Sequence, residues 1–495
     1  MTSTRYSTIY AFGDSLSDAG NVSIATLNTI PVSPPYYQAS YGAFGLLTAA
    51  VFSDGPVWVQ DLSQSLGLGT LAPSLAGGND FAYGGAEATS TTSTLSGLAQ
   101  SATSLASQLA QFVAGGGGSS SGLYTLSIGS NDIETIVTEA GVDLDKQIGQ
   151  IASAVSSEMS FVTSLVDGGA KYLLVVDVPD LGDVPIVTKA NSAAADSLAS
   201  TLSNLYNVDL NTSLENLAQS SGATIKILPL YSLVDQVIAS PSTFGFTNVT
   251  DPAWTGNLTS SSSGTLAASP DTHLFWDNYH PTEPAQVDIA NDAQSLVTTG
   301  SPLYPQPMVA MTDATTGLNS VQYGTVVPGG ALGLQGQFLY PGLDSVAILG
   351  LSPSMFLHGG PGEDALQVTA GSNVLDGGGG SNFLVGATGA DGGTDTFFTD
   401  ARTGGTGWDT DVNFHSGDSA TLWGFTSGVS SWSWIGVAGA GGYTGATLSA
   451  NVSGDGSVVR DITFAGLTMA QAQGLQVTTG SVGGTPYLSV SNPRA

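Results

Sequence analysis

The chain has 495 residues, with 8 Lys+Arg against 39 Asp+Glu and a formal net charge of −31. Such a charge repels phosphate backbones, which excludes nucleic acid as a partner, and no basic cluster is present to hold the chain on anionic lipid. Cysteine is absent, so disulfides, thiolate metal sites and cysteine nucleophiles are excluded.

Length predicts about three domain-sized units at roughly 150 residues each. Charged residues are 9%, but a hydrophobic content of 41% suffices for a large core. No apolar run reaches the roughly 18 residues of a membrane-spanning helix. The segment Met1 to Ser7 is polar and has no signal-peptide core.

Residues 5–299 alternate short apolar runs with helical patterns. Ile9-Tyr10-Ala11-Phe12 predicts the first strand, and Gly13-Asp14-Ser15-Leu16 follows it directly. Phe81-Ala82-Tyr83-Gly84-Gly85-Ala86 carries a glycine pair whose backbone can approach a ligand closely. Tyr124 to Ile128 predicts a second strand, followed by Gly129-Ser130-Asn131-Asp132. Ile148, Ile151, Val155, Met159 and Val162 recur at helical spacing, Tyr172 to Val176 predicts a third strand, and Leu198, Leu202 and Leu205 open another helix. Ala223 to Leu230 predicts a fourth strand. Such alternation predicts a mostly parallel sheet covered by helices on both faces, with ligands at the carboxyl ends of its strands.

Residues 300–308 read as a linker, containing Pro302, Pro305 and Pro307. Beyond it, over 309–495, short apolar runs alternate with glycine turns and predict an all-β module. Within it lie four nine-residue repeats, 359–367, 368–376, 377–385 and 386–394. Glycine holds the fourth place of each. Asp364, Asn373, Asn382 and Asp391 hold the sixth, and Leu366, Leu375 and Leu384 the eighth, which fails at Gly393. A flexible linker would not hold leucine in register. The repeats resemble the calcium-binding RTX nonapeptides, which wind into a parallel β-roll. The sixth-position oxygens are hard-cation ligands, so Ca2+ is the expected cofactor, bound weakly because Asn supplies an oxygen without charge. Residues 408–425 resemble the segment that closes such rolls. The end from Gly466 to Ala495 reads as a C-terminal export signal.

A serine at a strand's carboxyl end, at the start of a helix, can act as a nucleophile, although the same turn serves equally well as a helix cap. It needs a base, and the chain has four histidines. His280 stands three residues after Asp277, so one turn brings imidazole and carboxylate together, and Pro281 restrains its backbone. His273 is the rival base. Asn131 would sit at the same sheet edge as Ser15, where a side-chain amide can donate to an oxyanion.

Four blocks in chain order, Gly13-Asp14-Ser15-Leu16, Gly84-Gly85, Gly129-Ser130-Asn131-Asp132 and Asp277-x-x-His280, resemble the GDSL (SGNH) family of serine esterases and lipases over about residues 5–299. The resemblance implies a flavodoxin-like three-layer α/β sandwich and hydrolysis of carboxylic esters. It makes Ser15 the nucleophile, His280 the base and Asp277 its orienter. The oxyanion hole would be the Ser15 amide, one of the glycine amides (taken as Gly85) and the Asn131 side chain. Many members carry another histidine where this chain has Gln286. The expected protein is a secreted, bacterial lipase or esterase with an RTX tail, exported by a type I apparatus. Phospholipid cleavage and deacetylation of glycans use the same triad, and a surface adhesin with an inactive hydrolase domain is the alternative of another class. Tyr36, Tyr37, Phe44 and Leu46 would form either an apolar rim for lipid or part of the core.

Overall fold

A computed structural model describes residues 5–42, 45–89, 103–139, 142–327, 330, 333–439 and 442–493. The chain folds as two compact units, Met1–Pro305 and Gln306–Ala495.

In the first unit the elements run β1 (Ile9–Gly13), α1 (Asn21–Ala25), β2 (Gln38–Tyr41), β3 (Leu47–Ala50), α2 (Trp58–Ser65), α3 (Leu105–Ala114), β4 (Leu123–Ser127), α4 (Ser130–Thr138), α5 (Leu144–Asp167), β5 (Tyr172–Val176), α6 (Pro185–Thr188), α7 (Ala193–Ser221), β6 (Thr224–Leu228), α8 (Leu230–Ala239) and α9 (Glu283–Thr299). Strands β1, β4, β5 and β6 form a parallel sheet in that order. β1, β4 and β5 are largely buried runs, as strands covered on both faces must be, while β6 at the edge is only partly buried. Gly13, Ser127, Val176 and Leu228 pair in one row, so all four strands end level. That row is the edge from which the site is built.

The helices follow from spacing and caps. In α5, Ile151, Val155, Phe161, Val162 and Leu165 bury one face, and the Asp143 side chain accepts the Lys146 amide to start it. Ser192 caps α7 in the same way, and Gly222 ends it at φ +71°. Helix α2 contacts α9, while α5 contacts α3, α4 and α7.

The second unit is built of β-strands, with a short helix at Met469–Ala472 among its described residues. The chain alternates between two sheets. Strands Val346–Gly350, Ala365–Gln367, Phe383–Val385 and Thr406–Val412 stack in parallel in one, and Gly336–Leu339, Met355–His358, Val374–Asp376, Thr396–Asp400 and Ser419–Trp423 in the other. Leu366, Leu375 and Leu384 are fully buried. The segment 408–425 does not close this stack. It supplies a further strand to each sheet; Val459–Ala465 then adds to one in parallel, and Thr485–Ser491 to the other antiparallel. The end expected as an export signal forms, in its described part, an antiparallel hairpin of Gln476–Val482 and Thr485–Ser491 paired with Ser419–Trp423.

Candidate active site

Strand β1 ends in a tight turn. Gly13 has φ +127°, and a Cβ there would collide with the Ser127 carbonyl oxygen on β4. Gln108 of α3 brackets the same residue: its Oε1 accepts the Gly13 amide at 2.9 Å and its Nε2 donates to the Gly13 carbonyl at 2.8 Å. The Asp14 amide donates to the Ser127 carbonyl at 3.0 Å, and Ser15 emerges half-buried just beyond the strand. The sequence reading expects a helix to begin there. Instead the chain makes a turn, and α1 starts only at Asn21. The reason is Asp18, whose buried carboxylate accepts the amides of Gly20, Asn21 and Val22 and delays the helix to that point.

His280 arrives from the connection between α8 and α9. Its Nε2 lies 2.8 Å from Ser15 Oγ, and its Nδ1 lies 2.9 Å from both oxygens of Asp277. Asp277 Oδ1 also accepts the amides of Tyr279 and His280, both at 2.8 Å. Asp277 Oδ2 accepts the Tyr36 hydroxyl at 2.7 Å. Burial alone would push the Asp277 carboxyl up. The opposed charge of His280 and the hydrogen bonds from His280, Tyr36 and the Tyr279 amide outweigh it and hold the group below its ordinary value. The Phe52 ring stacks at a tilt on His280, 5.1 Å between centroids.

The glycine pair divides its work. The Gly84 amide donates to Asp18 at 2.9 Å, and a Cβ there would meet the Phe52 ring. Gly85, at φ +73°, lines the pocket beside Ser15, Asn131 and His280. Asn131 Nδ2 donates to the Ala86 carbonyl at 2.8 Å, which fixes its amide. Asp132 accepts the amides of Ala88 and Thr89, so α4 and the glycine segment are tied together. Asp14, wholly buried, is pushed up to about 7 by burial, against the Leu16 amide and His280.

Ser15, Gly85, Asn131 and His280 face a cavity of about 370 Å³. Its walls are mostly aliphatic and aromatic, with Leu181, Val184, Leu233, Val237, Phe246 and Ile289 among them, and among the described residues no Lys or Arg lines it. A large apolar pocket with a few convergent polar groups at one end suits an apolar chain joined to a reactive polar bond.

A sequence model of the GDSL-like lipase/acylhydrolase family matches residues 9–293, more than half of the chain. The chain belongs to this family. It is 26% identical to a GDSL esterase/lipase of Arabidopsis thaliana over 57% of this chain and 77% of the relative. A second Arabidopsis GDSL esterase/lipase is also 26% identical, over 60% of this chain and 88% of the relative. A phosphatidylcholine-sterol acyltransferase of Aeromonas hydrophila is 25% identical, over 63% of this chain and 81% of the relative. The protein is an ester-hydrolysing enzyme of the GDSL family.

The remaining residues of this GDSL enzyme singled out in the sequence fall as follows. His273 turns its Nδ1 to the Ser269 carbonyl and does not line the cavity. Gln286 is buried and accepts the Trp58 amide at 2.9 Å, so it joins α9 to α2. Tyr37 and Leu46 are exposed, and Phe44 lies outside the described residues. Tyr36 is not at a rim but buried behind Asp277. Gln108 and Asp18 escaped the sequence reading, as did the bond from Tyr36 to Asp277. Only the scarcity of polar residues within apolar surroundings could have marked them.

The sixth-position residues of the second unit form two ladders. In one, the Val346 amide donates to Asp364 Oδ1, the Asp364 amide to Asn382 Oδ1, and the Asn382 amide to Asp409 Oδ1. In the other, the Met355 amide donates to Asn373 Oδ1, the Asn373 amide to Asp395 Oδ1, and the Asp395 amide to Asp418 Oδ1. Asp391 stands outside the ladder. It is exposed and accepts the amides of Gly371 and Gly393, and Asp395 takes the rung, because the fourth repeat forms a longer loop and the span grows from 18 to 22 positions.

Calcium fits these residues unequally. Asn382 Nδ2 donates to the Gly379 carbonyl and to Asp409, and Asn373 Nδ2 donates to the carbonyls of Ala370 and Gly371 and to Asp395. Those amide hydrogens fill the place a cation would take among loop carbonyls and carboxylates, so the two Asn rungs do not fit the ion. Asp364 does fit in its chemistry. Its Oδ2 is buried without a hydrogen-bond partner, and burial pushes its carboxyl up to about 6.

Proposed function

We propose that this enzyme cleaves carboxylic esters through an acyl-enzyme formed on Ser15. The observation that carries the reading is His280, hydrogen-bonded to Ser15 Oγ by one ring nitrogen and to Asp277 by the other. His280 takes the Ser15 proton at Nε2 as Oγ attacks the carbonyl carbon, then gives it to the departing alcohol. Asp277 fixes the tautomer and stabilises the imidazolium that forms. The amides of Ser15 and Gly85 and the Asn131 side chain donate to the oxyanion. A water then repeats the sequence and releases the acid.

The apolar cavity favours a lipid acyl chain over an acetyl group on a glycan. The likeness to a relative named for acyl transfer from phosphatidylcholine supports a phospholipid as one substrate. The test is turnover of p-nitrophenyl esters from acetyl to palmitoyl, phosphatidylcholine and acetylated sugars, by the native chain and by Ser15→Ala. Long acyl esters should be preferred and Ser15→Ala should be inactive on all. A preference for acetylated sugars would overturn the lipid reading, and an active Ser15→Ala the chemistry.

The separate helix groups of the first unit support a flavodoxin-like three-layer sandwich. The alternating parallel strands and inward leucines of the second support a parallel β-roll of RTX type, with calcium at Asp364. On this reading the bacterial cell exports the chain by a type I route, and the roll meets calcium outside.

A further inference from the structure

We infer that Tyr36 is a positioning residue for the reaction: its hydroxyl holds Asp277 in the orientation that keeps His280 aimed at Ser15. The inference rests on the triad reading given above. Asp277 is buried and offers two oxygens. Oδ1 is fixed by two backbone amides from its own turn, Tyr279 and His280. Among the described residues, Oδ2 has no backbone donor. It shares His280 Nδ1 with Oδ1 and otherwise accepts, among those residues, only the Tyr36 hydroxyl, at 2.7 Å, a length typical of a charge-assisted bond. Without that donor the carboxylate would keep one oxygen anchored and leave the other to be neutralised by the imidazole alone.

Tyr36 is itself held in place. It is buried among Ala253, Trp254 and Trp276, and its ring meets Trp276 edge-on at 6.0 Å. Trp276 precedes Asp277 in the chain, and its amide donates to the His280 carbonyl at 2.7 Å. The hydroxyl is thus presented by a segment some 240 positions away in sequence but locked to the turn that carries the acid and the base. Other charged groups near His280 are Asp14 and Glu134, and neither touches Asp277 Oδ2.

Tyr36→Phe tests this, because it keeps the ring and removes only the donor. We expect kcat/KM on a soluble ester to fall about 10- to 100-fold, as loss of a charged-group hydrogen bond implies, mostly in kcat. The acidic limb of the pH–rate profile should move to higher pH, since the less compensated carboxylate favours the imidazolium. In an Asp277→Asn background the same substitution should change the residual rate less than threefold, because Tyr36 acts through that carboxylate. A merely structural role predicts a lower melting temperature with an unmoved pH limb and effects that multiply in the double variant. Native kcat/KM and an unmoved limb in a folded Tyr36→Phe, with Ser15→Ala inactive, would overturn this inference and leave the triad standing. An active Ser15→Ala would remove the triad itself.

Discussion

The two units hold their polar side chains in opposite ways. In the first, the bond between Ser15 and His280 joins residues 265 positions apart, and each partner occurs once. In the second, Val346 reaches Asp364 and Met355 reaches Asn373 across 18 positions, and the same bond recurs up each stack. A site made of single members concentrates its consequences in a few atoms. A ladder spreads them over rungs, each worth little alone. Replacing one residue in each place should therefore give effects of very different size.

The sharpest break is at the nucleophile. Ser15→Ala and His280→Ala should each lower ester hydrolysis by about 10⁴-fold or more with the fold retained, whereas His273→Ala should leave it near native. Turnover of a soluble ester, with circular dichroism as the control for folding, checks all three. Asn131→Ala comes next. Loss of one oxyanion donor should cost about 10²–10³ in kcat with little change in KM. A raised KM with kcat unchanged would make Asn131 a binding residue.

In the ladder the effects are on stability. Asn373→Asp with Asn382→Asp exchanges donating amides for carboxylates facing Asp395 and Asp409. By calorimetry of the full chain, the transition of the second unit should fall by about 5–10 °C in EDTA and recover in millimolar calcium. The native chain should respond to calcium less than the variant does. Asp411 offers a smaller gain. It occupies the place of a leucine between Leu384 and Phe464, is wholly buried, and has neither oxygen hydrogen-bonded. Burial, with Asp409 and Asp418 nearby, drives its carboxyl far up. Asp411→Leu should raise the same transition by about 3–8 °C.

The pH dependence of the first unit is set by several buried acids rather than by one residue. Burial is the leading cause that raises Asp14 to about 7 and Glu158 and Asp177 to about 8. Between their ordinary values and these, the unfolded chain binds fewer protons than the folded one. Stability then declines as pH rises from about 4 to about 8. Melting temperatures across that range check the sign.

Much of this arrangement is legible in the residues alone. The apolar runs at 9–12, 124–128 and 172–176 mark strands because a parallel sheet covered on both faces leaves no polar alternation to blur them. Ser15, Asn131 and His280 could be placed together because each follows a strand end or a turn with a fixed offset. Tyr36 could not, since no local pattern records a hydroxyl that meets a carboxylate from a distant loop. Gln108 escaped for the same reason. Asp391 misled because the sequence keeps the nine-residue frame through the fourth repeat. The chain itself leaves the frame for a longer loop and resumes at Asp395. Local frames report turns well, but they cannot report which copy of a residue type the next coil will meet.

The spacing of the coils has a consequence for how such a tail can change length. Successive strands fall alternately on the two sheets, and the regular rungs of each ladder are 18 positions apart. Loss of residues 365–382 would remove one full coil and bring Phe383–Val385 beside Val346–Gly350 with every inward leucine still inward. Loss of only nine residues would send each later strand to the opposite sheet. Inheritance by unequal exchange would then be quantised, tolerating gains and losses of whole coils and discarding halves.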